Sequence, residues 1–158
     1  MESSITPDSF KSLIKQVTDR IGTRALDQSL QTELNATIPP NGRLFTQIFD
    51  GCQAAIAAGW MCGREGGGIK YGRVIKPSDE LHGFSVDVVD MESLQGPHHA
   101  HPNGEIDLIM PLTTGAQFDN HPVGWLVYGP GTAHHPTVTE GRALILYLLP
   151  QGAIEFTR

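Results

Sequence analysis

The sequence has little of what marks secreted, membrane-spanning or nucleic-acid-binding proteins. Only two cysteines, Cys52 and Cys62, occur among 158 residues, so there is no disulfide framework to suggest secretion. The formal net charge of −6 leaves no basic face for a nucleic-acid backbone. No apolar run approaches the roughly 20 residues of a membrane span, and the N-terminal Met-Glu-Ser-Ser lacks the pattern of a signal peptide. We therefore expect a cytoplasmic protein without nucleic-acid or membrane partners.

The spacing of apolar residues differs between the first and second parts of the chain, and the total length suits one domain. Residues 1–65 repeat apolar side chains every three or four positions, which predicts amphipathic helices at about Phe10–Ile21, Leu26–Leu34 and Leu44–Trp60. After Gly66-Gly67-Gly68 the period changes to two, which is typical of strands. We therefore expect residues 1–65 to form an N-terminal helical segment that packs on a β-barrel formed by residues 66–158.

The second half is punctuated by many of the 18 glycines and 11 prolines, as expected for short strands joined by turns. The first predicted strand starts at Ile69, and the others lie at about Phe84–Val89, Pro97–His101, Glu105–Pro111, Trp125–Tyr128, His134–Val138, Leu144–Leu149 and Ala153–Thr157. Strand Leu144–Leu149 is apolar on both faces, which suits a position between the barrel interior and either the helices or a second subunit. Together with Ile154 and Phe156, this apolar surface predicts a homodimer.

Six of the seven histidines lie between His98 and His135. The period of a strand places His99 and His101 on one face, and the Asn-Gly turn that follows can return Glu105 towards them. A later turn, Gly129-Pro130-Gly131, delivers His134 to the start of another strand. Three imidazoles and a carboxylate are a plausible ligand set for one divalent metal ion.

The arrangement Gly96…His99-x-His101-x-x-x-Glu105, followed by Gly124…Pro130-Gly131-x-x-His134, resembles the paired motifs of the cupin superfamily. The resemblance implies a mainly β fold, the cupin jelly-roll barrel, and one divalent metal (Fe, Mn, Ni or Zn) bound by His99, His101, Glu105 and His134. The sequence departs from the family pattern in two ways. Gly96 lies closer to His99 than usual, and because Gly131 directly follows Pro130, counting from the proline selects His135 instead. We choose His134, because the glycine fixes the turn before the strand.

Other polar side chains are expected to face the same interior. Asp107 shares the face of Glu105, and a carboxylate inside a barrel is costly unless it is paired or catalytic. The two carboxylates are therefore candidates for catalytic proton transfer, although a structural hydrogen bond of Asp107 is an equal alternative. Tyr71 and Arg73 alternate along the first strand. If buried, Arg73 needs an anion, either Asp107 or a substrate carboxylate; the alternative is a solvated arginine. Tyr128 is a candidate to line a pocket for an aromatic ligand.

Nearly the whole chain resembles a narrower group, the small cupins related to 4-hydroxylaminobenzoate lyase. The resemblance is carried by four segments: REGGGIKYGR from Arg64, HGFSVDVVD from His82, PHHAHPNGEIDLIMP from Pro97 and LILYLLP from Leu144. It implies a lyase of the C–N type that converts 4-hydroxylaminobenzoate to 3,4-dihydroxybenzoate and ammonia in nitroaromatic breakdown. The implied partner is thus a small aromatic carboxylate. The alternatives are a cupin dioxygenase acting on another small substrate and a non-catalytic cupin that binds a small ligand.

Overall fold

The computed structural model describes residues 5–157, so the four N-terminal residues on which the expectation of no signal peptide rests lie outside it. Three helices come first: α1 Pro7–Ile21, α2 Gln28–Thr37 and α3 Arg43–Ala58. Thr6 caps α1 by accepting a hydrogen bond from the Ser9 backbone N–H, and Asp27 caps α2 in the same way at Leu30. No helix within residues 5–157 is both long and apolar enough to cross a membrane.

Within residues 5–157, ten strands follow in two antiparallel sheets, and one 3-10 turn, Asp79–Leu81, connects two strands of the larger sheet. They are β1 Arg64–Gly66, β2 Ile69–Ile75, β3 Phe84–Gln95, β4 His99–His101, β5 Glu105–Pro111, β6 Gln117–Phe118, β7 Gly124–Tyr128, β8 Thr132–His134, β9 Thr137–Pro150 and β10 Glu155–Phe156. The large sheet has the order β1-β2-β3-β9-β5-β7, with β6 also paired to β9, and the small sheet has the order β10-β4-β8. The predicted mainly β fold with N-terminal helices is confirmed.

The central strands of the large sheet, β5 and the second half of β9, are buried on both faces. On β9, Leu144, Leu146 and Leu148 join a hydrophobic cluster with the three helices, whereas Ile145, Tyr147 and Leu149 join a second cluster inside the barrel. This alternation follows from the two-residue period of a strand. The apolar strand that suggested a second subunit is therefore covered on both faces by its own chain.

Three predicted boundaries need correction. The first strand starts at Arg64, because Gly67 and Gly68 adopt positive φ in a tight turn that pairs β1 with β2. The predicted strand His134–Val138 is wrong: β8 ends at His134 and β9 begins at Thr137. Pro136 lies between them, and a proline has no N–H to donate to a sheet. The last strand is only Glu155–Phe156, shorter than predicted.

The open edge of β7 is covered by side chains of α2. The Asn35 amide donates from Nδ2 to the carbonyl oxygen of Trp125 (3.0 Å) and accepts at Oδ1 from its N–H (2.8 Å). One turn earlier, Gln31 Oε1 accepts from the N–H of Val127 (2.9 Å). These amides take the place that a neighbouring strand would have, so the helix blocks pairing with another chain.

Candidate metal centre

The small sheet aligns the three predicted imidazole ligands. Ala100 separates His99 from His101, so both imidazoles project from the same face of β4. Antiparallel pairing of β4 with β8 sets His99 opposite His134. Glu105 is the first residue of β5, directly after the turn that begins at His101. Two short strands and one turn thus hold all four side chains in one place.

One potential ligand atom from each of His99, His101, Glu105 and His134 lies within 4.8 Å of the other three. Glu105 Oε1 is 3.3 Å from His99 Nε2 and 3.2 Å from His101 Nε2. His134 Nε2 is 3.1 Å from His99 Nε2 and 3.7 Å from Glu105 Oε2. The cluster is buried, with His134 the most exposed member at 11% of its side chain.

The chemistry of this cluster fits a single metal ion. His101 Nε2 and Glu105 Oε2 are buried and have no hydrogen-bond partner within residues 5–157. Unsatisfied buried polar atoms are costly, and a cation shared by three imidazoles and a carboxylate would satisfy them. His135 takes no part: its Nδ1 is 3.3 Å from the Gly96 carbonyl oxygen, and its ring packs against His98.

Two polar side chains that the sequence analysis missed contact the far nitrogens of the imidazoles. Thr132 Oγ1 is 2.9 Å from His101 Nδ1, and Asp119 Oδ2 is 2.5 Å from His134 Nδ1. Burial opposes ionisation of Asp119, but its hydrogen bonds with His134 and Tyr128 outweigh that effect and lower its pKa. The Asp-Asn turn signal at residues 119–120 was present in the sequence, but it carries no information about a contact with His134.

Beside the cluster lies a cavity of about 650 Å³ whose walls include Tyr71, Arg73, His99, Tyr147 and Phe156. The structure thus brings two of the three predicted substrate residues, Tyr71 and Arg73, to one cavity with the candidate metal ligand His99. The third, Tyr128, is not part of its wall: its hydroxyl bonds to Asp119, and its ring packs 4.7 Å from that of His134. Tyr147 is a wall residue that the sequence analysis did not single out within the apolar strand Leu144–Leu149.

The partner of Arg73 is Asp87, whereas the sequence analysis named Asp107 or a substrate carboxylate as its anion if the arginine were buried. Arg73 Nε donates to Asp87 Oδ1 (2.8 Å), and Nη2 donates to Asp87 Oδ2 (3.3 Å) and to the Gly152 carbonyl oxygen (3.1 Å). The strand order explains the difference, because β3 lies between β2 and the strands that carry Tyr147 and Asp107. Burial raises the pKa of Asp87, while the arginine acts in the opposite direction.

The two interior carboxyl groups have opposite pKa shifts. Burial alone would raise the pKa of Glu105, but the adjacent imidazoles of His101 and His99 outweigh it and lower the pKa to about 2. The pKa of Asp107 is well above its usual range, because the group is fully buried and lies near the negative charge of Glu105. With Glu105 ionised and Asp107 neutral, Asp107 carries a proton that it could transfer in a reaction.

Two solved structures are similar to this chain at low sequence identity. A protein of unknown function with a cupin-like fold from Ralstonia eutropha is 18% identical, with a TM-score of 0.43 over 61% of this chain and 62% of that one. A DMSP lyase from Ruegeria pomeroyi is 19% identical, with a TM-score of 0.37 over 99% of this chain and 79% of that one.

Closer relatives are found by sequence. A 4-hydroxylaminobenzoate lyase from Nocardioides sp. is 29% identical over 148 residues, which cover 87% of each chain. A 4-hydroxylaminobenzoate lyase from Pseudomonas putida is 27% identical over 155 residues, covering 87% of this chain and 88% of that one. The model of the family described as PnbB, 4-hydroxylaminobenzoate lyase, matches residues 12–156. The resemblance to this family is thus confirmed, and the chain belongs to the 4-hydroxylaminobenzoate lyase family.

Proposed function

We propose that this protein is a metal-dependent lyase of the C–N type whose substrate is 4-hydroxylaminobenzoate. In this reaction the substrate and one water give 3,4-dihydroxybenzoate and ammonia, with no net oxidation and hence no need for oxygen or a nucleotide. The observation that carries the proposal is the cluster of His99, His101, Glu105 and His134 beside a cavity large enough for a benzoate. Family membership supports the choice of substrate.

The bound ion, which we expect to be Fe, Mn, Ni or Zn, would act as a Lewis acid towards the N-hydroxyl oxygen of the substrate. The remaining chemistry is addition of water and proton transfer. The N-hydroxyl leaves as water once it is protonated, and one water loses a proton as it adds to the neighbouring ring carbon. A second water adds to the carbon that bears nitrogen, so that the C–N bond breaks and ammonia leaves, and the net consumption is one water. We assign that transfer to Asp107, which lies two residues beyond Glu105 on β5 and is held in its neutral form by burial. Glu105 contributes as a metal ligand that stays ionised.

Arg73 is the proposed anchor for the substrate carboxylate. Its Nε and Nη2 donate to Asp87 and Gly152, whereas Nη1 has no hydrogen-bond partner within residues 5–157. The residue lines the cavity. An arginine fixed on one side by a bidentate carboxylate presents its remaining donors in a defined direction. Tyr71 is the proposed neighbour of the ring. Tyr128 was a third candidate, and its position behind His134 argues against direct contact with substrate.

The test starts from metal analysis of the purified protein and incubation with 4-hydroxylaminobenzoate without oxygen. We expect one equivalent of ammonia per 3,4-dihydroxybenzoate formed. Turnover that requires oxygen would favour a cupin dioxygenase, and a protein that binds no metal and turns nothing over would favour a binding cupin. His101→Ala should lose most of the metal. His135→Ala is the matched control and should keep it, since that imidazole contacts Gly96 instead.

Two variants separate the proposed roles. Asp107→Asn should retain metal and substrate binding but lose about 100-fold or more in kcat, because an amide cannot transfer the proton. Arg73→Ala should mainly raise KM, because it removes binding shared by the ground and transition states. Arg142→Ala is its control, since Arg142 forms the same bidentate pair with Asp90 away from the cavity wall. Wild-type turnover in Asp107→Asn would remove this carboxyl from the mechanism.

We place this activity in the cytoplasm as part of aromatic compound degradation. The two cysteines, Cys52 and Cys62, are both buried and free, which suits a reducing compartment. Fractionation of the native host, followed by the ammonia assay on each fraction, tests this location. Activity confined to the periplasmic or secreted fraction would contradict it.

A further inference from the structure

Asp119 occupies a turn that fixes its position closely. Asp119 and Asn120 both have positive φ (50° and 66°), and Phe118 and His121 exchange two backbone hydrogen bonds of 2.9 and 2.8 Å across them. These are the features of a two-residue turn in which Asp and Asn are favoured, because they tolerate left-handed φ. The Asp119 N–H also donates to the Thr137 carbonyl oxygen (2.8 Å). The backbone that carries this carboxylate is therefore tied to both β6 and β9.

The Asp119 carboxylate has hydrogen-bonding partners on three strands. Oδ2 lies 2.5 Å from His134 Nδ1 on β8, and it accepts from the Tyr128 hydroxyl on β7 at 2.5 Å. Oδ1 accepts from the backbone N–H of Thr137 at the start of β9 (2.9 Å). Only 11% of the side chain is exposed. No other carboxylate within residues 5–157 contacts the far nitrogen of a proposed metal ligand.

We infer that Asp119 is a positioning residue that holds His134 in the tautomer needed to bind a metal through Nε2. An ionised carboxylate can only accept hydrogen bonds, so the Nδ1 it contacts must carry the proton, and Nε2 keeps its lone pair. Nε2 is the atom that faces His99 and Glu105. The inference rests on the metal site of the proposed function, but it concerns binding of the metal and not turnover.

Tyr128 strengthens this arrangement from the other side. Its hydroxyl donates to the oxygen that also accepts from His134, and its ring lies 4.7 Å from the His134 ring and 5.3 Å from the His101 ring. The tyrosine thus restricts how far the imidazole can rotate. Asp119 joins β7 of the large sheet to β8 of the small sheet through these two bonds. Loss of the carboxylate would free both rings together.

An asparagine at this position cannot reproduce the three bonds. Its amide has one oxygen that accepts and one nitrogen that donates, whereas all three neighbours of Asp119 are donors. If the oxygen faces Thr137, the amide nitrogen faces His134 and favours the tautomer that is protonated on Nε2. If the oxygen faces His134, the amide nitrogen opposes the N–H of Thr137. The backbone itself should be unaffected, because Asn tolerates positive φ.

The experiment measures Zn²⁺ binding to Asp119→Asn and to Asn120→Gly by competition with a chelator. Asn120→Gly keeps the turn, since glycine adopts positive φ freely, and should bind Zn²⁺ as the wild type does. Asp119→Asn should lose about 10- to 100-fold in affinity, the usual cost of removing such a partner of a ligating histidine. Unfolding curves of the metal-free proteins show whether each variant is folded.

Nitrogen NMR of the metal-free protein provides a second readout that a merely structural role would not change. We expect His134 to be protonated on Nδ1 in the wild type and in Asn120→Gly, and on Nε2 to a substantial extent in folded Asp119→Asn. An unchanged tautomer and unchanged Zn²⁺ affinity in Asp119→Asn would overturn the inference, and so would a wild type that binds no Zn²⁺. A wild type that binds Zn²⁺ with this dependence on Asp119 but releases no ammonia would contradict only the proposed function.

Discussion

Asp107 is a carboxyl group with no exposed surface, and neither of its oxygens has a hydrogen-bond partner within residues 5–157. Its register partner on β9 is Tyr147, which does reach the cavity. Because burial and the charge of Glu105 raise its pKa well above the usual value, the folded metal-free protein retains a proton that the unfolded chain loses above about pH 3.9. The contribution of Asp107 to the free energy of unfolding is therefore most favourable below about pH 3.9, where both states are protonated. It falls as the pH rises towards the pKa of the folded state.

This property predicts a stabilising substitution. In the metal-free protein Asp107→Asn should raise Tm at pH 8 and flatten its decline between pH 5 and 8, because an amide cannot ionise. Tm measured by circular dichroism in a chelator, across that pH range, checks the prediction. Asp90→Asn is the control: its carboxylate is paired with Arg142, so the substitution should not stabilise. Equal pH slopes in the wild type and Asp107→Asn would contradict the pKa shift.

Single residues also mark where sequence reasoning succeeds and fails. His99, His101 and Glu105 could be predicted as a cluster because a strand and a short turn relate them locally. The contact of Asp119 with His134 depends on how β6 and β8 are placed by the rest of the barrel, which no local spacing specifies. Asp87 was not among the anions considered for Arg73, since alternation gives the face of a strand and not its neighbour in the sheet.

At the scale of elements, the contact between α2 and β7 links the helical layer to the barrel. The period of the apolar residues predicted both elements, but it could not predict that Asn35 and Gln31 would bond to a strand edge, because both look like ordinary polar positions on an exposed helix face. The indole N–H of Trp125 adds a third bond, to the Ile38 carbonyl oxygen (2.9 Å). The helices are therefore joined to the barrel by directed hydrogen bonds as well as by apolar packing.

The Asn35 contact predicts a specific loss of stability. Asn35→Asp removes the donor to the Trp125 carbonyl oxygen and places a negative charge beside it, which should cost about 1–3 kcal/mol of unfolding free energy. Thr32→Ala, on the exposed side of the same helix, should change it by less than about 0.5 kcal/mol. Urea unfolding measures both. A loss in Thr32→Ala as large as that in Asn35→Asp would mean that the helix, and not the edge contact, is affected.

At the scale of the whole molecule, the homodimer stays a prediction whose original basis has changed. The apolar faces of Leu144–Leu149 are used within the chain, by the helices on one side and the barrel interior on the other. The large apolar side chains left exposed within residues 5–157 are Phe156 at 67%, Tyr71 at 39% and Val123 at 38%. Phe156 and Tyr71 both border the cavity, so a dimer that covers them would also cover its entrance.

Light scattering at micromolar concentration tests the dimer, and Phe156→Ser tests which surface it uses. We expect a dimer for the wild type and a shift towards monomer for Phe156→Ser, because loss of an exposed aromatic anchor weakens association. Val123→Ser is the control on a residue outside the cavity wall. A strict monomer for the wild type would exclude the dimer.

The cover on the edge of β7 also has a consequence for synthesis on the ribosome. Asn35 precedes Trp125 by 90 residues, which corresponds to several seconds or more at roughly 5–20 residues per second. The amides that protect the strand edge have therefore been made before the strand itself leaves the exit tunnel. A circularly permuted gene that encodes the helices after the barrel would reverse this order, and each nascent chain would then present a bare edge to its neighbours on the same messenger.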